Sequence, residues 1–233
     1  MDPSKNNNSK QQMSNLGRRL RYYGIGFGFG TLFVIMFFGA RGCSWTPGNR
    51  VKTGILQRVI AVPTQQQKNL ESKEITSKNL IDFIADADVD FKHSKKQNPN
   101  KFYKLTKDKT TLYFTLPNDS YVSSVYTSRP NEKQTGKAKL MRFPDGKDLI
   151  FTDTTGSLQR IRVELGFKDD RSILEQLKKN AYLNYDKSDF LNTIKPEHHL
   201  EFETKKGDTV EVISVWYKDK INITKYIYKG TLQ

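Results

Sequence analysis

The longest apolar run of the chain is the uncharged stretch YYGIGFGFGTLFVIMFFGA, which lies between Arg21 and Arg41. At about 1.5 Å of rise per residue, this run as a helix matches the roughly 30 Å hydrocarbon core of a bilayer. Aromatic residues stand at its start and just past its end, where the aromatic belts of membrane proteins lie. The pattern therefore predicts a transmembrane helix over residues 21–42.

The segments on both sides of this run are polar and basic. Residues 1–20 form a short basic tail with too few apolar residues to fold, so this tail is predicted to be disordered. Basic residues beside a span are attracted to anionic lipids by about 1 kcal/mol each. Their slight excess before the run favours an inner-membrane, single-pass protein whose C-terminal region is periplasmic rather than cytoplasmic. The predicted membrane-interface residues are Arg18, Arg19, Arg21, Tyr22, Tyr23, Arg41, Trp45, Arg50 and Lys52.

Four glycines alternate with other residues in the first half of the run. Gly24 and Gly28, and likewise Gly26 and Gly30, have the small-xxx-small spacing that lets two helices approach closely. This spacing predicts self-association through the span. Glycine is also common in membrane spans, however, and alternating glycines cover two faces of a helix rather than one.

The only cysteine of the chain, Cys43, follows the run directly. A single cysteine excludes a disulfide framework and a Cys-based zinc site within the chain. Lipidation of Cys43 is one alternative, but Arg41 fits poorly among the small or apolar residues that precede a lipoprotein cysteine. The run is also longer than the apolar core of a cleaved signal peptide. The sequence therefore favours an uncleaved anchor.

Residues 43–70 are predicted to form a juxtamembrane amphipathic segment and a linker. Val51, Ile55, Val59 and Val62 recur at helical spacing. A helix with this stripe either lies against the lipid headgroups or is the first helix of the folded region. Pro63 and the polar residues after it end the helical pattern.

An internal repeat organises the rest of the chain. The segment NLIDFIADADVDFKHSK, residues 79–95, aligns without gaps to ILEQLKKNAYLNYDKSD, residues 173–189, and alternating apolar segments follow both. Each copy has the pattern of a helix, a strand that leaves it and a further strand pair. Ser77 and Asp170 are the predicted N-caps of the two helices.

The repeat predicts an α+β fold, in which a single N-terminal transmembrane helix precedes two small helix-on-antiparallel-sheet modules. The modules cover residues 71–128 and 129–233 and arise from a degenerate duplication. The second module is larger because the segment before its helix predicts three extra strands, the last with Ile161, Val163 and Leu165 on one face. Chance similarity between two amphipathic segments is the alternative explanation.

The formal charge of +14 is unevenly distributed along the chain. Residues 1–45 carry a net charge of +5 and residues 46–70 carry +4, so the predicted modules are close to neutral. A duplex-binding domain needs a dense basic face to release phosphate counterions. The distribution therefore makes nucleic acid an unlikely partner and favours contact with anionic lipids.

The candidate catalytic and metal-binding side chains form no recognised constellation. His93, beside Lys92, Lys95 and Lys96, does not align in the repeat with His198 or His199, so the copies share no candidate general base. Adjacent histidines on a strand point to opposite faces. Asp86, Asp88 and Asp90 lack the glycine turn and the terminal glutamate of a calcium loop. The sequence predicts no catalytic, metal or cofactor-binding residues.

Two short motifs stand out along the first half of the chain. They are formed by Cys43, Trp45, Pro47, Gly48 and Arg50, and by Asp88, Val89, Phe91 and Ser94. These motifs resemble those of a family of small bacterial single-span envelope proteins that carry a domain of unknown function. The resemblance covers residues 18–128 and implies a helix-plus-sheet fold like that of RelE-type ribonuclease toxins, without implying an activity.

These observations predict a non-catalytic, single-span inner-membrane protein that acts as an accessory subunit or scaffold of a larger envelope complex. The exposed edges of its strands are one route to a partner, because another chain can extend them. One alternative is a membrane-tethered RNA-binding or ribonuclease-like module that faces the cytoplasm. A second is a lipoprotein acylated at Cys43.

Overall fold

The computed structural model describes residues 5–39, 46–97, 100–118, 120–131, 134–144, 148–189, 192, 194–204, 207–217 and 220–228. The chain forms two compact units, residues 1–49 and residues 50–233. The helices are α1 (Lys5–Gly39), α2 (Pro47–Leu56), α3 (Gln67–Glu71), α4 (Asn79–Asp86), α5 (Ser157–Glu164) and α6 (Asp170–Asn180), and a 3₁₀ helix covers Thr64–Gln66. The strands are β1 (Val59–Pro63), β2 (Asp88–Lys95), β3 (Phe102–Lys107), β4 (Thr110–Thr115), β5 (Val122–Tyr126), β6 (Lys137–Arg142), β7 (Asp148–Phe151), β8 (Tyr182–Asp189), β9 (Glu197–Glu203), β10 (Thr209–Trp216) and β11 (Lys220–Tyr228).

The first unit contains the long helix α1. Across the described parts of the chain, no helix combines the length and the apolar character that crossing a membrane requires. This finding contradicts the predicted transmembrane helix at 21–42, the single-pass topology and the inner-membrane location. Helix α1 is polar and basic up to Arg21, and five glycines are interspersed among the apolar residues that follow.

The residues that were predicted to flank or pack a span lie on or beside α1. The interface and packing roles predicted for them presupposed the membrane span. The exposed ones are Arg18, Arg19, Arg21, Tyr22, Tyr23 and the glycines Gly24, Gly26, Gly28 and Gly30 on α1, with Arg50 on α2. Lys52 of α2 instead donates from Nζ to the carbonyl oxygen of Ala85 at 2.8 Å. Arg41, Cys43 and Trp45 lie outside the described residues, as does the predicted lipidation.

The second unit is built on one mixed sheet of eleven strands in the order β2-β3-β4-β5-β1-β6-β8-β9-β10-β11-β7. The predicted fold of two separate small modules is therefore wrong. Strand β6 joins the two halves because it pairs antiparallel with β1 on one side and with β8 on the other. Alternating apolar residues predict a strand but do not identify its neighbours, which is why the prediction separated the halves.

Within this sheet, one connectivity occurs twice. Each half has a four-stranded antiparallel meander, β2 to β5 or β8 to β11, that begins directly after α4 or α6. A strand from before the helix then pairs in parallel with the last meander strand, β1 with β5 and β7 with β11. Strands β1 and β7 therefore hold equivalent positions, as do β2 and β8.

The same bulge marks the first strand of each meander. In β2, Ser94 Oγ donates to the carbonyl oxygen of Asp90 at 2.6 Å and accepts from the backbone N–H of Lys104 at 2.9 Å. In β8, Ser188 makes the same two bonds with Asn184 and His199, at 2.6 and 3.0 Å. Asp90 thus corresponds to Asn184, and Lys104 to His199, within a repeated backbone geometry.

The strand register extends this correspondence to β1 and β7. Val125 pairs with Phe114 of β4 in the first half. Ile223 pairs with Ser214 of β10, the equivalent of Phe114, in the second. The residues before them, Ser124 and Asn222, pair with Ala61 and Ile150. Ala61 of β1 and Ile150 of β7 are therefore equivalent positions.

The two halves face opposite sides of the sheet. Strands β1 and β8 both run antiparallel to β6, whereas β2 runs antiparallel to β1, so equivalent strands of the two halves have opposite directions. Since the left-to-right order is retained, the halves are related by a half-turn about an axis across the strands. Accordingly, Ile60 and Val62 of β1 pack in the core under α4, and Val59 and Ala61 pack in the core under α6.

Four local predictions were also wrong. The helix predicted through Val62 ends at Leu56, and β1 follows with all five residues buried, because a central strand buried on both faces shows no period of two. The strand predicted around Ile161 is helix α5. Asp169 rather than Asp170 caps α6, accepting from the N–H of Ser172 at 2.8 Å. Helix α4 has Lys78 rather than Ser77 at the N-cap position, without a capping side-chain hydrogen bond.

Candidate functional site

The pair with the closest likeness to a catalytic arrangement is Ser120 with His198. His198 Nδ1 lies 3.1 Å from the carbonyl oxygen of Pro196, which can only accept, so Nδ1 carries the proton. His198 Nε2 is 2.9 Å from Ser120 Oγ and therefore accepts from the serine hydroxyl. A nucleophile and a base are thus in hydrogen-bond contact, although a backbone carbonyl takes the place of the usual orienting carboxylate.

Burial removes this pair from any substrate. His198 is fully buried and Ser120 is nearly so, and the imidazole stacks on the indole of Trp216 with ring centroids 4.5 Å apart. Burial lowers the pKa of His198 to about 3, which keeps the ring neutral. Because Ser120 belongs to the first half of the sheet and His198 to the second, the pair serves to lock the halves together.

A second cluster lies on β8, β9 and β10. The carboxylates of Glu201 and Glu211 stand directly opposite each other on adjacent strands, and Lys187 Nζ bridges them at 3.1 and 2.9 Å. Lys137 Nζ contacts the other oxygen of Glu201 at 2.5 Å, and His199 Nδ1 contacts Glu211 at 2.6 Å. Every carboxylate oxygen of the pair therefore has a nitrogen partner.

The electrostatics of this cluster are those of a structural network. Burial alone would raise the pKa of Glu201, but hydrogen bonds from Lys137, Asn184 and Lys187 outweigh it and lower this pKa to about 2. The pKa of Glu211 is also lowered, because the bonds from His199 and Lys187 outweigh its burial. A general acid needs a raised pKa, so this paired-carboxylate site does not fit acid–base catalysis.

His93, the third histidine, is held in an exposed ion-pair cluster. Its Nδ1 lies 2.6 Å from Asp90 Oδ2, and Lys104 Nζ reaches the same oxygen at 3.0 Å. The hydrogen bond from Lys104, and to a smaller extent that from His93, holds the pKa of Asp90 well below its usual range. His93 lies on β2 of the first half, whereas His198 and His199 lie on β9 of the second.

No metal site is formed by the described residues, since no three histidine, cysteine, aspartate or glutamate side chains converge there. Of the acidic run Asp86, Asp88 and Asp90, the first pairs with Lys107 at 2.7 Å and the last with Lys104. A cleft of about 660 Å³ lies beside β6 and α6; of its two carboxylates, Glu201 is already bonded to Lys137, and Glu203 is exposed. Neither the acidic run nor the cleft has the side-chain arrangement of a recognised catalytic or metal-binding site.

The two outer edges of the sheet, formed by β7 and β2, are the remaining candidates. Within the described ranges, β7 pairs only with β11 and β2 only with β3. Their equivalents β1 and β8 each have a second neighbour, and in both cases it is β6. The pairing of β6 with β1 therefore shows how a strand is added to the equivalent edge of β7. The pairing of β6 with β8 shows the same for the edge of β2.

The β7 edge differs from its occupied counterpart in one exposed apolar side chain. Ile150 is 42% exposed, whereas its equivalent Ala61 is fully buried opposite Leu140 of β6. The N–H of Thr152 donates to the carbonyl oxygen of Ile223 at 3.1 Å, so the alternate N–H groups, of Leu149 and Phe151, point to the open side. An unpaired row of backbone groups beside an exposed isoleucine is a template for an added strand.

No protein-family model matches the chain, and neither a curated protein nor a solved structure matches it. The family resemblance drawn from the two short motifs therefore stays a prediction. Sequence reasoning named strand edges as a route to a partner but did not identify β7 or Ile150. No local sequence signal marks Ile150, because its equivalence to Ala61 follows only from the strand register.

Proposed function

We propose that this protein is a non-catalytic accessory subunit or scaffold that binds a partner protein by accepting an extended segment at the free edge of β7. The observation that supports this proposal is the equivalence of β7 with β1, whose second edge is filled by β6. The bound segment runs antiparallel to β7, as β6 does to β1. Strand addition is a common way for one protein to bind another.

The contacts at the occupied edge define the segment. Leu140 of β6 stands opposite Ala61, and Lys139 stands opposite Val62. The segment at β7 therefore places an apolar side chain opposite Ile150 and solvated side chains at the positions on either side. Each backbone hydrogen bond contributes about 1 kcal/mol, and burial of the apolar pair adds about 2 kcal/mol. After the cost of association, an isolated peptide binds in a range of about 0.1–1 mM.

The test uses the peptide TGTATLMTF, which is the sequence of residues 135–143 with threonine in place of the three basic residues. Hydrogen exchange of the full chain is followed by NMR with and without the peptide. Slower exchange of the Leu149 and Phe151 amides is expected, with no change at Thr152. The matched control peptide TGTATDMTF, which has aspartate at the position of Leu140, should give no protection.

The variant Ile150→Lys is the matched change in the protein. It places a charge where the apolar residue of the segment would pack, so it should abolish protection while the chain remains folded. If the leucine peptide leaves the amides of Leu149 and Phe151 unprotected at millimolar concentration, the proposed function is wrong. Equal protection of Ile150→Lys and the unchanged protein would also contradict it.

No observation favours the RNA-binding or ribonuclease-like alternative as a second function. Lys101 and Arg129 lie over the rings of Tyr103 and Phe102, at 5.7 and 5.5 Å from the centroids. Both rings are buried, so they provide no platform on which bases could stack. The lipoprotein alternative concerns Cys43, which is outside the described residues.

A further inference from the structure

The opposite edge of the sheet, at β2, has its own occupied counterpart in the molecule. Strand β8 holds the equivalent position, and β6 pairs with it at Tyr182, Leu183 and Asn184. The N–H of Tyr185 extends this pairing, donating to the carbonyl oxygen of Gly136 at 2.8 Å. The bulge that follows Asn184 does not prevent the addition of β6, so the same bulge after Asp90 does not close the β2 edge.

The register shows which residues a strand added to β2 would meet. Lys139, Ala138 and Lys137 of β6 stand opposite Tyr182, Leu183 and Asn184. The residues of β2 that correspond to these three are Asp88, Val89 and Asp90. Both positions that face a lysine in the occupied junction therefore carry an aspartate at the open edge, and the position that faces alanine carries a half-buried valine.

The charges on the adjacent helix have the same sign. In the second half, Gln176 and Asn180 of α6 line the cleft beside Lys137 and Lys139. The residues that follow the same 94-residue offset in α4 are Asp82 and Asp86. Two neutral side chains beside the lysines of β6 are thus replaced by two carboxylates at the open edge.

Not all of these carboxylates are neutralised within the chain. Asp90 is bonded to Lys104 and His93, and Asp86 to Lys107. The exposed Asp88 makes no ion pair or side-chain hydrogen bond within the described part of the chain. Cations beyond the bulge, at Lys92, Lys95 and Lys96, limit the favourable stretch to residues 87–91, which is the length that β6 covers on β8.

We propose that the free edge of β2 is a second docking site, which binds an extended basic segment with lysine or arginine at alternate positions. This site is separate from the β7 edge of the proposed function and does not depend on it. The backbone of the segment pairs with the N–H and C=O groups of Val89 and Phe91, as β6 pairs with Leu183 and Tyr185. Its basic side chains lie opposite Asp88 and Asp90, where opposite charges on paired strands attract.

The experiment compares two peptides on the full chain by hydrogen exchange. The basic peptide TGKAKLMRF has the sequence of residues 135–143, and TGTATLMTF is its neutral counterpart. The basic peptide should slow exchange of the Val89 and Phe91 amides at a concentration at least tenfold lower than the neutral peptide. Because the attraction is between exposed charges, raising the salt from 0.05 to 0.5 M should remove most of this advantage.

Asp88→Lys and Asp88→Asn are the matched variants, and both change an exposed side chain. The charge reversal should weaken the protection of Val89 and Phe91 by tenfold or more, the neutral change by less. Neither should alter the protection of Leu149 and Phe151 at the β7 edge. Equal protection of Val89 by both peptides, or unchanged binding to Asp88→Lys, would overturn the inference. Protection confined to the β7 edge would also overturn it, while leaving the proposed function intact.

Discussion

Ala61 and Ile150 hold equivalent positions in the two halves of the sheet, but Ala61 is fully buried and Ile150 is 42% exposed. The backbone around them is the same, a strand paired in parallel with the end of a four-stranded meander. Two contacts differ: β6 pairs with β1 while no described strand covers β7, and Ala61 also packs in the core under α6 of the other half. The comparison shows that the other half of the molecule covers β1, whereas no described strand covers the outer edge of β7.

The other equivalent pair, β8 and β2, leads to the same conclusion with different chemistry. Strand β8 is covered by β6 and faces its lysines with Asn184 and Tyr182. Strand β2 is open and has aspartates at both positions. One edge of the sheet thus presents an exposed isoleucine, and the other presents carboxylates.

The largest difference in stability is expected when lysine replaces each residue of the equivalent pair Ala61 and Ile150. Ala61→Lys buries an ammonium group between β5 and β6 and should cost several kcal/mol, on the order of the whole stability of a domain. Ile150→Lys changes an exposed position and should alter the free energy of unfolding by about 0.5 kcal/mol or less. Urea titrations followed by circular dichroism measure both. Similar losses in the two variants would show that β7 is covered.

A second pair of variants tests whether the halves fold together. Phe83 of α4 and Leu177 of α6 are equivalent and buried. Phe83→Ala should cost about 3–5 kcal/mol and Leu177→Ala about 2–5 kcal/mol. Because both helices pack on one continuous sheet, each change should shift a single unfolding transition of residues 50–233. Two transitions, of which each variant moves only one, would contradict the single sheet.

The pH dependence of stability should distinguish the second half, which contains His198, from the first. The equivalent residue in the first half is Tyr103, and tyrosine does not titrate at acidic pH. Free histidine binds a proton with a pKa near 6.5, and burial lowers the pKa of His198 to about 3. The unfolded chain is therefore protonated at this residue below pH 6.5 while the folded chain is not. The free energy of unfolding should fall by about 1.4 kcal/mol for each pH unit from 6.5 towards 3.

The control for this prediction is His198→Phe, which retains a ring against Trp216 but does not titrate. Below pH 4.5, the lowered pKa of Glu201 also makes stability fall with pH, and this contribution is common to both proteins. The difference between their stability curves should therefore isolate His198. Parallel curves between pH 6.5 and 4 would mean that the imidazole accepts a proton in the folded state.

The smallest effect concerns the start of the two repeat helices. Asp169 caps α6 and exchanges bonds with Ser172, whereas α4 begins without such a cap. Asp169→Ala should cost about 0.5–2 kcal/mol, and Ser77→Ala, at the residue before the N-cap position of α4, should cost less than about 0.5 kcal/mol. Thermal unfolding followed by circular dichroism is the measurement. Equal losses would show that Ser77 caps α4.

Several elements were predictable because local patterns determine them. Helix α4 and strand β2 lie within the first aligned segment, and most of α6 and all of β8 lie within the second, as the apolar periods indicated. The segment around Ile161 misled because three alternating apolar residues suit a strand, yet the helix α5 buries Leu158 instead. Periodicity was also uninformative for β1, since every one of its residues is buried.

The candidate sites depended on pairing, which sequence patterns do not encode. Nothing local distinguishes β1, at the centre of the sheet, from β7, at its edge. Ile150 becomes noticeable only when its register partner is known, and Asp88 only when Lys139 is seen opposite its equivalent Tyr182.

By itself, the sequence determined that residues 50–233 contain a repeated helix-and-strand unit, because side-chain periodicity and capping are local properties of the chain. It also placed most of the excess positive charge in residues 1–70. Only the tertiary structure decided that one strand, β6, joins the two halves into a single sheet and leaves the outer edges of β7 and β2 open. The reason is physical: backbone hydrogen bonds between strands are the same for every sequence, so partners are chosen by long-range packing.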